Sequence, residues 1–272
     1  MKSLTLVTGG NEKYGQWLIC QIHDHYIHNI SQNNTTLVVY DLGLGDYYRN
    51  IILNLSCNLP WLHFETLDYS KYPDHVQHVV DGYYAWKIAI FHEVCKKYSG
   101  KIMWLDSSMC VTDQKYYQYI KDKLYEDTIL TVRTLGNIHR WCHPETLSAI
   151  GFKHSQHLPM RAGGFFGCNY DTTRAINFVN ELYHWSMLEH VITPPGSSRK
   201  NHRQDQSILT ILYYNYKHIY DVQGIDIMQH IIGPVDKAKL LIRFDKDEPV
   251  QVSNFYHKHD LQTMINTMVN EK

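Results

Sequence analysis

The sequence predicts an α/β fold in which helices flank a mostly parallel central sheet and a lobe follows toward the C-terminus. Short apolar runs alternate with helix-patterned stretches through the first half, as in folds whose parallel strands are joined by helices. The apolar run Lys101–Leu105 ends in Asp106 and two serines, as a buried parallel strand does at a sheet edge. With 272 residues and 44% hydrophobic content, the chain can bury one large core or two small lobes.

The first half supplies the clearest elements of this fold. Apolar runs predict four strands, at Leu4–Thr8, Thr36–Asp41, Trp61–Leu67 and Ile102–Leu105. Helical spacing predicts two helices, one from Tyr14 to about His28 and one from His78 to Tyr98. Gly9-Gly-Asn11 predicts a tight turn after the first strand, since glycine and asparagine favour turns.

The second half is predicted to complete the sheet and to form the C-terminal lobe. The pattern indicates a strand at Asp127–Val132, a short strand with a glycine turn at Gly163–Gly167, and a loop at Ile192–His202. It also indicates helices at Asp171–His190 and Gln206–Tyr216, and short strands mixed with charged loops from Ile225 onward. We expect a single domain over residues 1–272, composed of halves 1–112 and 113–272.

Composition excludes several classes of protein. A formal net charge of −1 argues against a nucleic-acid-binding protein, which would carry a basic face. The six cysteines contain no Cys-x-x-Cys pair, which argues against a zinc ribbon. The 21 tyrosines and 18 histidines suit stacking on carbohydrate or nucleotide, although a general compositional bias explains them equally well.

Hydrophobic runs in this sequence are short. The apolar stretch at the N-terminus is too short for a signal peptide or an anchor, and no other run reaches membrane-spanning length. We therefore expect a soluble, cytoplasmic protein without a membrane span. The buried thiols expected at Cys20, Cys95 and Cys110 fit a reducing compartment.

The end of the first strand is a candidate ligand site. Gly9 and Gly10 allow backbone to approach a ligand closely, and Thr8 and Asn11 can hydrogen-bond a base or ribose. Tyr14, at the start of the next helix, is close enough in sequence to take part. The Gly-x-Gly-x-x-Gly order of a dinucleotide site is absent, and the glycines alone could simply make the turn.

Two charged side chains accompany the fourth strand. Lys87, in Tyr84-Ala-Trp86-Lys87, lies on an otherwise apolar helix, so it needs an anionic partner unless its ammonium group reaches solvent. Asp106 is placed where ligands of open α/β sheets bind, and a carboxylate there could hold a metal–diphosphate. Its alternative role is to cap the turn through Ser107 and Ser108.

Two further motifs lie in the second half. Gly163 and Gly164 have no side chain to exclude a ligand, and Arg161 just before them could meet a phosphate, whereas a β-bulge explains the glycines without a ligand. Asp205 and Gln206 open an apolar helix. Asp205 could act as a general base or could only cap that helix.

Taken in chain order, these motifs resemble the plan of the GT-A nucleotide-sugar glycosyltransferases, within the nucleotide-diphospho-sugar transferase superfamily. Leu105-Asp-Ser-Ser108 resembles a degenerate Asp-x-Asp motif, and Asp205-Gln206 resembles the helix start of the family 8 type. His230-Ile-Ile-Gly233 resembles that family's late His-x-x-Gly segment, with His257 as a rival. The resemblance covers nearly the whole chain and implies a C-terminal acceptor-side lobe.

The resemblance assigns roles to the candidate residues. Mn²⁺ or Mg²⁺ would be held by Asp106, Ser108, His230 and His257, and Asp205 and Gln206 would be catalytic. The donor, a nucleotide sugar with UDP as the expected nucleotide, would be bound by Thr8, Gly9, Gly10, Asn11, Tyr14, Lys87, Asp106, Ser107, Ser108, Arg161, Gly163 and Gly164.

The expected activity is transfer of a hexosyl or pentosyl group to a hydroxyl of a glycan or protein. Three alternatives stay open. A binding-only pseudo-glycosyltransferase would explain the degenerate Asp-Ser-Ser motif. A sugar-1-phosphate nucleotidyltransferase would have a related sheet, although Gly9-Gly-Asn-Glu-Lys13 is a poor copy of the basic glycine-rich loop of those enzymes. A methyltransferase is more remote, because Asp41 ends the second strand but no Gly-x-Gly loop precedes it.

Overall fold

Six strands form one sheet in the computed structural model, which describes residues 3–79, 81, 83–109, 115–220 and 261–270. The strands are β1 (Leu4–Gly10), β2 (Thr35–Asp41), β3 (Leu62–Thr66), β4 (Lys101–Leu105), β5 (Ile129–Asn137) and β6 (Pro159–Asn169). Their order is β3-β2-β1-β4-β6-β5, with β1, β2 and β3 parallel and β5 antiparallel to β6. The predicted α/β class with a mostly parallel sheet is confirmed.

Helices occupy most of the connections between these strands. Longer ones are α1 (Gly15–Ile27), α2 (Asp46–Asn58), α3 (Ala85–Tyr98), α4 (Lys115–Asp127), α7 (Thr173–Ser186), α9 (Gln204–Tyr220) and α10 (Leu261–Asn270). Shorter ones are α5 (Ile138–Trp141), α6 (Pro144–Ile150) and α8 (Glu189–Ile192). None of the helices described here is long and apolar enough to cross a membrane.

The chain folds into two compact units. The first comprises Met1–Leu67, Trp104–Asp122 and Ile232–Lys272, and within its described part α1 packs against α2 and α10. Every residue of β1 is buried, and β2 is buried except at Thr36, so this parallel sheet is covered on both faces.

The second unit comprises Asp68–Met103 and Lys123–Ile231. Within it, α9 packs along β6 and α7 packs against both α3 and α9. Aromatic contacts tie these layers together: the ring centroids of Phe91 and Phe166 are 4.7 Å apart, and those of Phe178 and Tyr216 are 5.3 Å apart. The predicted division of the chain at residue 112 stays a prediction.

The glycine turns expected at two places are strand instead. Gly9 and Gly10 close β1, and the run Gly163–Gly167 lies inside β6. A Cβ at Gly167 would come within 2.3 Å of the Ile102 carbonyl oxygen, so this glycine allows β4 to approach β6. The glycines therefore provide close contact between elements rather than reversal of the chain.

Two predicted helices are shorter than expected. The helix expected from His78 begins only at Ala85, because Tyr84 has a left-handed backbone (φ 56°) that interrupts the helical path. The helix expected over Asp171–His190 stops at Ser186, and α8 follows after a short break. The Ser186 carbonyl accepts a hydrogen bond from the His75 ring instead of continuing the helical ladder.

Some elements were not predicted, and some predictions lie outside the described residues. Helices α2, α4, α5 and α6 were missed, and β5 runs five residues beyond the predicted Val132. In the C-terminal tail the described part is a helix, α10, rather than a strand or charged loop. The short strands and charged loops predicted for residues 225–260 lie outside the described residues.

Candidate functional site

A buried ion pair lies at the centre of the candidate site in the second unit. The Lys87 ammonium group is 3.3 Å from the Asp205 carboxylate and donates a hydrogen bond to the Gly163 carbonyl at 3.0 Å. The two charged side chains are only 5% and 6% exposed. Lys87 Nζ also lies 5.3 Å from the centre of the Tyr84 ring. The anionic partner that the sequence required for Lys87 is thus Asp205.

Unusual backbone precedes both members of this pair. Tyr84, three residues before Lys87, has φ 56°, and Gln204, immediately before Asp205, has φ 38°. Left-handed backbone at residues other than glycine costs on the order of 1–3 kcal/mol and concentrates at functional sites. The start of α3 and the start of α9 are therefore each held in place by an energetically unfavourable backbone conformation.

Asp205 is inside α9 rather than at its N-cap. The helix begins at Gln204, so Asp205 belongs to the first turn, where the helix dipole favours a negative charge. Its carboxylate pairs with Lys87, which a cap alone would not require. A Cβ at Gly163 would lie 3.2 Å from Asp205 Oδ2 and 3.1 Å from Gln206 Cβ. Gly163 thus allows the first turn of α9 to approach β6.

The loop of residues 193–203 is fixed just before this turn by His202. The fully buried ring donates from Nε2 to the Ile192 carbonyl at 2.9 Å and accepts the His143 backbone N–H at Nδ1, 3.2 Å away. Burial, opposed by the bond to Ile192 and aided by His143, lowers the pKa of His202 to about 4. The ring is therefore neutral at pH 7, and each of its nitrogens has a partner.

Arg161, predicted to bind the donor, also lies in this unit. It sits on β6 two residues before Gly163 and is 5% exposed. Its guanidinium carbon is 4.1 Å from the centre of the Tyr213 ring. Nε and Nη1 are buried, and neither has a hydrogen-bond partner among the described residues. Gly164, the neighbour of Gly163, is likewise buried within β6.

In the first unit, Asp106 directly follows β4, as predicted. Its Oδ1 accepts a hydrogen bond from Trp104 Nε1 at 2.9 Å, and its carbonyl closes a turn by accepting the Met109 N–H at 2.8 Å. Gln21 Nε2, from α1, donates to the Asp106 and Met109 carbonyls at 3.2 and 2.5 Å. Sequence reasoning missed Gln21, because only the fold brings it to a turn far along the chain.

The turn after Asp106 contains the two predicted serines. Ser107 and Ser108 are both buried, at 9% and 5% exposure. The Asp106 side chain bonds Trp104, while its main-chain carbonyl closes the turn. The carboxylate is therefore not acting simply as a cap for this turn.

The end of β1 holds two polar atoms that lack partners. Thr8 Oγ1 and Asn11 Oδ1 are buried, and neither has a hydrogen-bond partner among the described residues. Buried polar atoms are nearly always hydrogen-bonded, so such exceptions need an explanation. Gly9 packs against the backbone of Tyr40, and Gly10 against Tyr14. The unsatisfied atoms belong to the two side chains expected to hydrogen-bond a ligand.

The described residues do not by themselves form a metal site. They contain no cluster of three or more histidine, cysteine or acidic side chains that could hold an ion. Asp106 is the single carboxylate of the predicted set, and one of its oxygens already accepts from Trp104. His230 and His257 lie outside the described residues.

Comparison with known proteins identifies the fold. No protein-family model and no curated protein matches the sequence. The bifunctional glycosyltransferase WbbM superposes with a TM-score of 0.54 at 12% identity, over 83% of this chain and 39% of WbbM. Mouse xyloside xylosyltransferase 1 gives 0.51 at 12% identity, over 84% of this chain and 86% of that one. The chain therefore has the GT-A-type glycosyltransferase fold, and it spans well under half of WbbM.

Proposed function

We propose that this chain is a glycosyltransferase that moves a hexosyl or pentosyl group from a nucleotide-diphosphate donor, a UDP-sugar, to a hydroxyl of a glycan or protein. The observation that carries the proposal is the buried Lys87–Asp205 pair beside Gly163. A buried ion pair contributes little net stability, because desolvation offsets its attraction, so its presence favours a chemical role. The GT-A fold supports the same conclusion.

In the first unit, the proposed contacts are to the nucleotide and diphosphate. Thr8 Oγ1 and Asn11 Oδ1 offer the unsatisfied hydrogen-bonding atoms that a nucleoside would complete. Asp106 follows the last residue of β4, the sheet neighbour of β1, and ligands of open α/β sheets bind at the carboxyl ends of strands. We further propose that Mn²⁺ or Mg²⁺ assists at Asp106, with residues outside the described part completing its ligands.

In the second unit, the proposed contacts are to the sugar and the acceptor. Asp205 accepts the proton of the acceptor hydroxyl, the oxygen of that hydroxyl bonds the anomeric carbon, and the bond from that carbon to the diphosphate breaks. Lys87 keeps the carboxylate ionised and oriented, because its ammonium group lies 3.3 Å away. Gln206, adjacent in the same turn, is placed to hydrogen-bond the sugar or the acceptor.

A binding-only protein is the second candidate. Within the described residues, Asp106 is the one carboxylate at the degenerate motif, and a weakly held metal would leave the diphosphate a poor leaving group. Such a protein would bind a nucleotide sugar without turning it over. Binding and turnover must therefore be measured separately.

The direct test is a screen of UDP-, GDP- and CMP-sugars by calorimetry and by nucleotide release, with and without Mn²⁺. A glycosyltransferase should bind one donor and release its nucleotide slowly to water, and faster when the right acceptor is added. Asp205→Asn, which keeps the side-chain shape, should retain donor binding and lose release. Binding without release by the wild type would favour the second candidate, and no binding to any nucleotide sugar would refute both.

A further inference from the structure

Arg161 is a buried arginine whose charge has no anionic partner in the described part of the chain. The residue is 5% exposed, and no described residue forms a hydrogen bond with its Nε or Nη1. The guanidinium also makes no ion pair with a described residue. A buried cation without an anion is unfavourable, because it loses its hydration and receives no compensating charge.

The contacts that Arg161 does make leave its N–H groups unsatisfied. Its guanidinium carbon is 4.1 Å from the Tyr213 ring centre and 5.4 Å from that of Tyr214, both on α9. Its backbone N–H donates to Thr210 Oγ1 at 3.0 Å. Stacking on aromatic rings uses the flat faces of a guanidinium, whereas its donors lie along the edges. Nε and Nη1 are therefore buried donors that lack an acceptor among the described residues.

The surrounding charges do not neutralise Arg161. Arg133 on β5 is its register partner across the antiparallel strands, and this exposed residue supplies no negative charge. The acid in the first turn of α9, Asp205, is already paired with Lys87. The described neighbourhood is thus one in which a bound anion would relieve an existing electrostatic cost.

We propose that Arg161 recognises an anionic substituent, a carboxylate or a phosphate, on the sugar bound beside Gly163. This inference rests on the proposed function, which assigns Asp205 and Gln206, the close neighbours of Gly163, to the sugar and the acceptor. Arg161 and Gly163 are two residues apart on β6 and so belong to the same face of the strand. A guanidinium matches the two oxygens of such a group with paired hydrogen bonds.

The position in β6 favours the sugar over the diphosphate as the source of the negative charge. Diphosphates are held by loops and helix N-termini that follow parallel strands. Arg161 is instead the third residue of an eleven-residue strand, alongside the tyrosines of α9. An acidic donor sugar and an acidic acceptor share the required chemistry, and the experiment distinguishes them.

The test compares pairs of ligands in which one member carries the anionic substituent and the other does not. The full chain is titrated by calorimetry with UDP, UDP-glucose and UDP-glucuronate, and then, with UDP present, with glucose and glucose 6-phosphate as acceptors. The proteins are the wild type, Arg161→Gln and Arg140→Gln. Arg140 is a matched control, because its guanidinium carbon also stacks on a ring, 4.6 Å from Trp141, but the residue is exposed.

The wild type should bind the anionic member of one pair about tenfold more tightly than its neutral counterpart, as charge-assisted hydrogen bonds would require. Arg161→Gln should abolish that preference, while its affinity for the neutral ligand should stay within about twofold of the wild-type value. Arg140→Gln should change neither the preference nor the affinity. The pair that shows the preference identifies the donor or the acceptor as the charged sugar. Unliganded Arg161→Gln should unfold at the same temperature as the wild type or higher.

Three results would overturn the proposal. Equal binding of charged and neutral sugars by the wild type would show that no anion is recognised. An equal loss of affinity for UDP, UDP-glucose and UDP-glucuronate in Arg161→Gln would assign the guanidinium to the diphosphate. A lower unfolding temperature of this variant would assign the guanidinium a structural role. Failure of every nucleotide to bind would refute the proposed function itself.

Discussion

Gly163 on β6 and Gln206 on α9 approach so closely that a Cβ at Gly163 would lie 3.1 Å from Gln206 Cβ. Gly163→Ala should therefore displace the first turn of α9 by a few tenths of an ångström and reduce transfer by about tenfold or more, since small errors in positioning are costly in catalysis. Its stability loss should be modest, about 1–3 kcal/mol. Initial rates and urea unfolding measure the two effects.

Gly167→Ala is the informative comparison on the same strand. There a Cβ would come within 2.3 Å of the Ile102 carbonyl, so strand pairing itself is disturbed. We expect Gly167→Ala to lose more stability than Gly163→Ala. If Gly163→Ala keeps full activity, the close approach of α9 to β6 has no role in catalysis.

Breaking the buried ion pair should destabilise the protein strongly. Lys87→Met leaves the Asp205 charge buried without its cation, which costs roughly 3–5 kcal/mol, and Lys87→Met/Asp205→Asn should recover part of that loss. A double-mutant cycle from urea unfolding gives the coupling free energy. The exposed pair of Lys71 and Asp68, also 3.3 Å apart, is the control, and Lys71→Met should cost less than about 1 kcal/mol.

Asp106→Asn should separate chemistry from folding. Asparagine retains an oxygen that can accept from Trp104 Nε1, so the turn and the stability should be preserved while the negative charge is removed. Transfer should fall by about a hundredfold, as expected when one electrostatic contact to the reacting groups is lost. Full activity in this variant would exclude Asp106 from the donor site.

Acid should destabilise the folded chain through His202. Because the folded pKa is about 4 and the unfolded value is 6.5, the unfolded chain binds more protons between these pH values. The free energy of unfolding therefore falls as the pH drops from 6.5 to 4, by an amount on the order of 3 kcal/mol at about 1.4 kcal/mol per pKa unit. Urea unfolding across this range measures the slope.

His202→Gln should show a smaller acid-induced loss than the wild type. Buried His25 and His92, whose pKa values burial lowers to about 3 and about 4, contribute to the slope that remains. His157→Gln changes an exposed ring and is the control. Identical slopes for His202→Gln and the wild type would show that His202 does not stay neutral in the folded state.

Local pattern was sufficient for some elements and insufficient for others. Strands β1, β2 and β4 each contain a short run of apolar residues and are almost entirely buried, so their positions were predictable within one or two residues. Helix α2 was missed because its residues are mostly polar and exposed, and it buries only Ile52 and Leu55. The buried stripe of this helix is thus only two residues, a weak signal within a mostly polar segment.

The candidate site was only partly predictable for a different reason. The need of Lys87 for an anion followed from its apolar surroundings, but the choice of Asp205 depends on how α3 and α9 meet β6. The left-handed backbone of Tyr84 and Gln204 has no signal in residue type, because neither is glycine or asparagine. Tertiary packing imposes these conformations.

The amide of Gln21 spans two carbonyls of the turn after β4. The placement of Asp106 consequently depends on helix α1, 85 positions earlier in the chain, as well as on the residues next to the motif. A relative could keep Leu-Asp-Ser-Ser unchanged and still misplace the carboxylate if it had glutamate in place of that glutamine. An ionised glutamate has no N–H to donate, so its oxygens would face the two carbonyl oxygens of the turn. A comparison of relatives by this motif alone would overlook the glutamine that helps to position the Asp106 carboxylate.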